Sequence, residues 1–141
     1  MNGSESNPDF SVSLLRGNEA IRQASVAAQA FGEVQLLNPD ELARLCIVVE
    51  ELVANLYDHG GLGPLDEVTV SLSRVEGGIG VSISDPGAPF DPWTALPKAD
   101  RPERGGGVGI EIVRAWALFT SYDTSPDGNR LEFLLPIHWD S

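Results

Sequence analysis

Residues 47–61 read IVVEELVANLYDHGG, and the reading of this stretch decides the fold. Charged and polar side chains are set into a segment that otherwise reads as a buried helix, a cost that packing alone would avoid. Both ends of the helix are marked. Asn38 stands where an N-cap accepts a free backbone N–H, Pro39 fits the first helical position, and Glu41 completes a capping box. Leu42, Leu45, Cys46, Val49, Leu52, Val53 and Leu56 recur at the spacing of one helical face, and Gly60, Gly61, Gly63 and Pro64 end the run. Glu51, Asn55 and His59 fall at i, i+4 and i+8, a second stripe with Val48 beside it. That stripe has two readings: a binding site, or a solvated face whose C-terminal histidine is favoured by the helix dipole.

The chain around this helix has 141 residues, enough for one domain with a real core and too few for two ordinary ones. Residues 1–8 (MNGSESNP) are polar and without apolar period, so a flexible N-terminal tail is expected there and a single domain over 9–141. Nine basic against twenty-one acidic side chains give a net charge of -12, which argues against direct binding to nucleic acid or to an anionic membrane. Cys46 is the only cysteine, so no disulfide framework exists within the chain, and its place on the apolar stripe suits packing in a reducing compartment. No charged start leads into a hydrophobic run, and no apolar stretch reaches membrane-spanning length; a cytoplasmic protein is expected.

Taken in order, Phe10, Val12 and Leu14 alternate with serines as in a half-buried strand that Arg16 and Gly17 end. Asn18 can cap a helix running to about Phe31, with Ile21, Ala24, Ala28 and Phe31 inward and Gly32 placed to stop it. After the central helix come two strands, Val68, Val70 and Leu72 inward on the first and Ile79, Val81 and Ile83 on the second, joined through Glu76, Gly77 and Gly78. Asp85 has the parity of the inward residues. Either the strand continues and its carboxylate points to the covered face of the sheet, or the strand ends at Ser84 and Asp85 opens an Asp-Pro-Gly turn. Ala88–Arg104 is the longest stretch without periodicity, carries Lys98, Arg101 and Arg104, and has the length of a binding loop. Gly105, Gly106, Gly107 and Gly109 then run into a helix marked by Val108, Ile112, Val113 and Trp116. Such a junction presents backbone N–H groups to phosphate, although glycines also simply connect elements, and neither the dinucleotide fingerprint nor the P-loop pattern is met. Phe119–Asp123 reads as a strand, Ser125–Asn129 as a hairpin turn, and Leu131, Phe133 and Leu135 as the inward side of a closing strand. The predicted order of strand, two helices, two strands, loop, helix and two strands gives an α+β fold: a two-layer sandwich of a mixed, mainly antiparallel sheet with helices on one face.

The polar residues now carry a resemblance. Glu51-x-x-x-Asn55-x-x-x-His59-Gly60 resembles the N-box, Asp85-x-Gly87-x-x-Phe90 the first glycine box, and Gly105-x-Gly107-x-Gly109 the second, of the Bergerat-fold ATPases that include histidine kinases, gyrase and the Hsp90 chaperones. By its small size the chain is most similar, within them, to the anti-sigma factor serine/threonine kinases of bacterial partner-switching pathways. The resemblance spans roughly residues 10–136.

That resemblance implies ATP and Mg²⁺ as cofactors. Asn55 would ligate the Mg²⁺, Glu51 would act as general base on a hydroxyl, and Asp85 would accept a hydrogen bond from the adenine amino group. Gly87 would let the base lie against the backbone. Arg104, Gly105, Gly107, Val108 and Gly109 would meet the phosphates, with His59 in a supporting role. Glu51 is preferred to Glu50 because it shares the stripe of Asn55. Gly106 departs from the larger or basic residue usual in related kinases, the loop before it is short, and no separate helix bears a phosphoacceptor histidine. The implied function is phosphorylation of a serine or threonine of an antagonist protein, with a sigma factor as second partner and a homodimer allowed. The alternative is a regulatory module of the same fold that binds nucleotide, or only protein, without phosphotransfer.

Overall fold

A computed structural model describes residues 10–14, 17–63, 65–93 and 108–139. The elements are β1 (Phe10–Leu14), α1 (Gly17–Val34), α2 (Pro39–His59), β2 (Val68–Val75), β3 (Gly78–Asp85), α3 (Val108–Trp116), β4 (Leu118–Ser125) and β5 (Gly128–Pro136). They form a five-stranded sheet in the order β1-β2-β3-β5-β4. Among the described residues every pairing is antiparallel, so the expected two-layer sandwich is present with an antiparallel sheet and no parallel pair to make it mixed.

Alternation along the strands decides which face is covered. Val68, Val70 and Leu72 on β2, Ile79, Val81 and Ile83 on β3, and Leu131, Phe133 and Leu135 on β5 are all buried in one core cluster. That cluster also holds Ala24, Ala28 and Phe31 of α1, Leu45, Val49, Leu52, Val53 and Leu56 of α2, and Val113 of α3. The helices therefore lie on one side of the sheet, and the hydroxyl residues Thr69, Ser71, Ser73 and Ser84 take the opposite parity. β4 is an outer strand, largely exposed, with an irregular register between Phe119 and Ser121. Such an irregularity blunts an edge that could otherwise recruit another strand.

The central helix starts as its sequence requires. The Glu41 N–H donates to Asn38 Oδ1 at 2.8 Å and the Asn38 N–H to Glu41 Oε1 at 2.9 Å, so both halves of the capping box are present. At the other end the Gly60 N–H donates to the Leu56 carbonyl at 2.7 Å.

The end of α1 differs from expectation. Gly32 does not stop the helix, which continues to Val34. A Cβ on Gly32 would sit 2.5 Å from Leu42 Cδ1 and 3.2 Å from Leu37 Cδ1, so the glycine serves the close approach of α1 to the start of α2. The left-handed stop falls instead on Leu36, with φ 64°. Its N–H donates to the Glu33 carbonyl and that of Leu37 to the Gly32 carbonyl, both at 3.1 Å, the paired bonds of a Schellman motif. Trp139 Nε1 donates to the Val75 carbonyl at 2.9 Å, and the Arg74 guanidinium lies 3.9 Å from the Trp139 ring centroid.

Leu36 combines a backbone conformation that glycine adopts without penalty with a side chain 87% exposed. Leu36→Gly is therefore expected to stabilise the fold by about 0.5–1 kcal/mol, the αL penalty less the entropy glycine adds to the unfolded chain. Urea unfolding measures this as a raised midpoint at unchanged slope; a lowered midpoint would contradict the assigned strain.

Candidate functional site

The site begins where β3 ends. The strand continues through Asp85, whose side chain points to the covered face and is only 6% exposed. The same residue also opens the turn, because Asp85 Oδ1 accepts the Gly87 N–H at 2.8 Å. The strand therefore does not end at Ser84, but the turn that the second reading placed at Asp85 is present as well. Oδ1 takes a second hydrogen bond from Asn129 Nδ2 at 3.1 Å, and that amide also donates to the carbonyls of Gly87 (2.9 Å) and Ala88 (3.2 Å). Oδ2 accepts none of these. Burial pushes the Asp85 carboxyl above its ordinary pKa; the bonds from Gly87 and Asn129 oppose the shift, and the charge of Asp66 adds to it.

Asn129 has no place in the sequence reading, where it closes a hairpin turn. Its signal was present: it shares the parity of Leu131, Phe133 and Leu135, and it is 4% exposed at the start of β5. A buried amide beside a buried carboxylate is the partner that the carboxylate needs.

The second part of the site is α2. Asn55 is buried at 6% exposure, half-buried Glu51 lies one turn before it, and His59 closes the helix in tilted contact with Phe90, ring centroids 6.0 Å apart. Glu50 lies elsewhere, its charge felt together with that of Glu33 at Cys46, on the side of α2 that meets α1. Asn55 Nδ2 donates to the Pro92 carbonyl at 3.3 Å. Among the described residues the amide oxygen takes no such bond, and amide oxygen is a ligand that a hard cation accepts readily. Among the described residues no cluster of three or more His, Cys, Asp or Glu forms a metal cage, so a cation here would lean on phosphate oxygens for its other ligands.

The two parts meet at Gly87. A Cβ there would fall 2.6 Å from the Gly60 carbonyl and 2.8 Å from Leu62 Cδ2, so the absence of a side chain lets the turn after β3 close against the end of α2. The segment that follows is held on three sides. The Phe90 N–H donates to Tyr122 Oη on β4 at 2.8 Å, the Pro92 carbonyl accepts from Asn55, and the Trp93 carbonyl accepts from Arg114 Nε (3.3 Å) and Nη2 (3.0 Å) on α3. The Trp93 ring packs against Phe119 and Phe133 at centroid distances of 5.9 and 5.6 Å. Tyr122, Trp93 and Arg114 were not singled out from sequence, and for Arg114 the sequence carries no sign of the role.

Of the residues expected to meet phosphate, Val108 and Gly109 form the first turn of α3. Arg104, Gly105 and Gly107 lie outside the described residues, as do Lys98, Arg101 and Gly106. A groove of about 610 Å³ at the end of the sheet adjoins the site: Asp85 and Asn129 line it together with Glu67, Ser84, Asp123 and Asp127 among others. It includes neither Glu51 nor Asn55, and its acidic rim is unsuited to phosphate.

Comparison with known proteins agrees with this geometry. Residues 16–135 match the histidine kinase-like ATPase domain family. The chain belongs to that family. Among solved structures it is similar to a chain of the SiaB–SiaC complex from Pseudomonas aeruginosa, with a TM-score of 0.63 and 17% identity over 95% of this chain and 93% of that one. At that identity the likeness is one of fold. No curated protein matches the chain in sequence. Membership makes this an ATPase-type domain, and no helix among the described residues is long and apolar enough to cross a membrane.

Asn129→Ala removes the donor to Asp85 Oδ1 and to two carbonyls, which is expected to cost about 1–3 kcal/mol at pH 7. The sign of its pH dependence follows from Asp85. With the folded pKa raised, the stability this group contributes is full below the ordinary aspartate value near 4 and is lost as pH rises through the folded value. The Asn129 bond limits that loss, so the deficit of Asn129→Ala should narrow between pH 7 and about pH 4. Urea melts at both pH values test it; a deficit equal at both would detach Asn129 from the charge on Asp85.

Proposed function

We propose that the chain binds Mg-ATP between α2 and the turn after β3 and phosphorylates a serine or threonine of an antagonist protein, as a cytoplasmic regulator in a partner-switching pathway. The observation that carries the nucleotide reading is the division of labour within two buried side chains: among the described residues the protein's hydrogen bonds fall on Asp85 Oδ1 and not Oδ2, and on Asn55 Nδ2 and not Oδ1. This supports reading Asp85 as the acceptor for an exocyclic amine and Asn55 as the acceptor for a hard cation. Adenine offers the amine; guanine carries a carbonyl at that position.

Asn55 is the protein ligand for Mg²⁺, with Val108 and Gly109 at the start of α3 and the preceding Arg104, Gly105 and Gly107 toward the phosphates. Bound there, the cation supplies charge neutralisation to the phosphate oxygens. Glu51 takes the proton of the attacking hydroxyl as its oxygen bonds to the γ-phosphorus; the bond from that phosphorus to the bridging oxygen breaks and ADP leaves. Gly87 closes the turn under the base, and His59 with Phe90 forms the flank beside it. Family membership and the fold shared with a chain found in a two-protein complex support a regulatory ATPase acting on a protein partner. The antagonist and a sigma factor are the partners this reading assigns, and β1, at one end of the strand order, offers an edge for a homodimer.

Asp85→Asn keeps an oxygen for Gly87 and Asn129 but turns an amide N–H₂ toward the adenine amine. It is expected to weaken ATP binding by roughly 5- to 150-fold, the equivalent of one unpaired buried donor of about 1–3 kcal/mol, read by titration calorimetry. With labelled ATP and the antagonist, Glu51→Ala should abolish transfer of label to serine or threonine while nucleotide still binds. Wild-type affinity in Asp85→Asn would remove Asp85 from the site, and transfer by Glu51→Ala at the wild-type rate would remove Glu51 from catalysis.

A further inference from the structure

An asparagine amide ligates a cation with its oxygen only if its nitrogen is turned away, and the two ends have the same shape. Something in the protein has to choose between them. For Asn55 the choice is made by the Pro92 carbonyl, which accepts from Nδ2 at 3.3 Å. That carbonyl belongs to a segment with no regular structure, so its position needs an explanation of its own.

The next carbonyl along, that of Trp93, is gripped by Arg114 through Nε at 3.3 Å and Nη2 at 3.0 Å. Two N–H groups of one planar guanidinium on a single oxygen fix it in direction as well as distance. Arg114 stands in the last turn of α3, whereas Asn55 stands on α2, so one segment is held from two helices through adjacent carbonyls. The Trp93 N–H, donating to Asp91 Oδ1 at 2.9 Å, completes the restraint on the backbone between them.

We infer that Arg114 is a positioning residue for the cation site: by holding the Trp93 carbonyl it places the Pro92 carbonyl, which keeps Asn55 Nδ2 turned inward and its Oδ1 toward the metal. Arg114 touches neither cation nor nucleotide in this account. The inference rests on the proposed Mg-ATP reading and specifies the orientation of its one protein ligand.

The test compares wild type with Arg114→Met, which keeps the apolar stem, and Arg114→Lys, which keeps one donor. ATP affinity is titrated over a range of Mg²⁺ and in chelator, and the Asn55 side-chain amide signal is followed by NMR in ligand-free protein. Loss of a partner that orients a ligand group costs about 10- to 100-fold in metal affinity. Arg114→Met should therefore raise the Mg²⁺ concentration needed for tight ATP binding by at least about tenfold. Affinity for ADP in chelator should change by less than a factor of about two, since the adenine acceptor Asp85 is not linked to Arg114. The Asn55 amide signal should move toward that of an exposed asparagine, and Arg114→Lys should fall between the two. Equal losses with and without Mg²⁺ would assign Arg114 a general role in the fold and overturn the inference, as would an unmoved Asn55 signal. Absence of any nucleotide binding in wild type would instead overturn the Mg-ATP reading itself, and the inference with it.

Discussion

A carboxylate held beneath the helical layer is the constraint on which the rest depends. Asp85 follows Ile79, Val81 and Ile83 on the inward side of β3, where a further aliphatic residue would extend the core at no electrostatic cost. Burial raises its pKa, so the ionised form weighs against the fold at neutral pH. The protein limits this cost with the Gly87 N–H and with Asn129, and it spends both bonds on one oxygen. Among the described residues both bonds fall on Oδ1, and the proposed nucleotide reading rests on that division.

The same division recurs on α2. Leu45, Val49, Leu52, Val53 and Leu56 fill the core and supply the stability of the helix, while Asn55 is buried among them with one end engaged. Because α2 is anchored at its start by a full capping box and at its end by Gly60, the stripe bearing Glu51, Asn55 and His59 is held by a rigid element. Gly87 against Gly60 sets the distance between this stripe and Asp85. The helix and the strand end thus form one frame, with Phe90–Trp93 bound across it.

How much of this the sequence announced depends on the range of the interaction. α2 was legible to the residue at both ends because capping boxes and helical periodicity are local. The inward faces of β2, β3 and β5 were legible because alternation is local too, and the same rule offered the covered side as one of two readings of Asp85. Gly32 misled because glycine has two uses, and close packing against Leu42, ten residues further on and in the next helix, is invisible in the run that precedes it. The αL position then fell on Leu36, a residue no turn rule selects. Asn129 lies 44 residues from Asp85, and Arg114 lies 21 from Trp93. Such pairs are created by the register of β3 with β5 and by the docking of α3, so only the three-dimensional arrangement reveals them.

The most direct measurement of the central claim is the thermal midpoint of the purified protein with ATP, ADP and GTP, each with and without Mg²⁺. A ligand that binds only the folded state stabilises it by mass action, by about 2.7 kcal/mol at a hundred times its dissociation constant. The account predicts a rise with adenine nucleotides that Mg²⁺ enlarges for ATP and that GTP does not produce. No shift at millimolar nucleotide, or an equal shift with GTP, would contradict it.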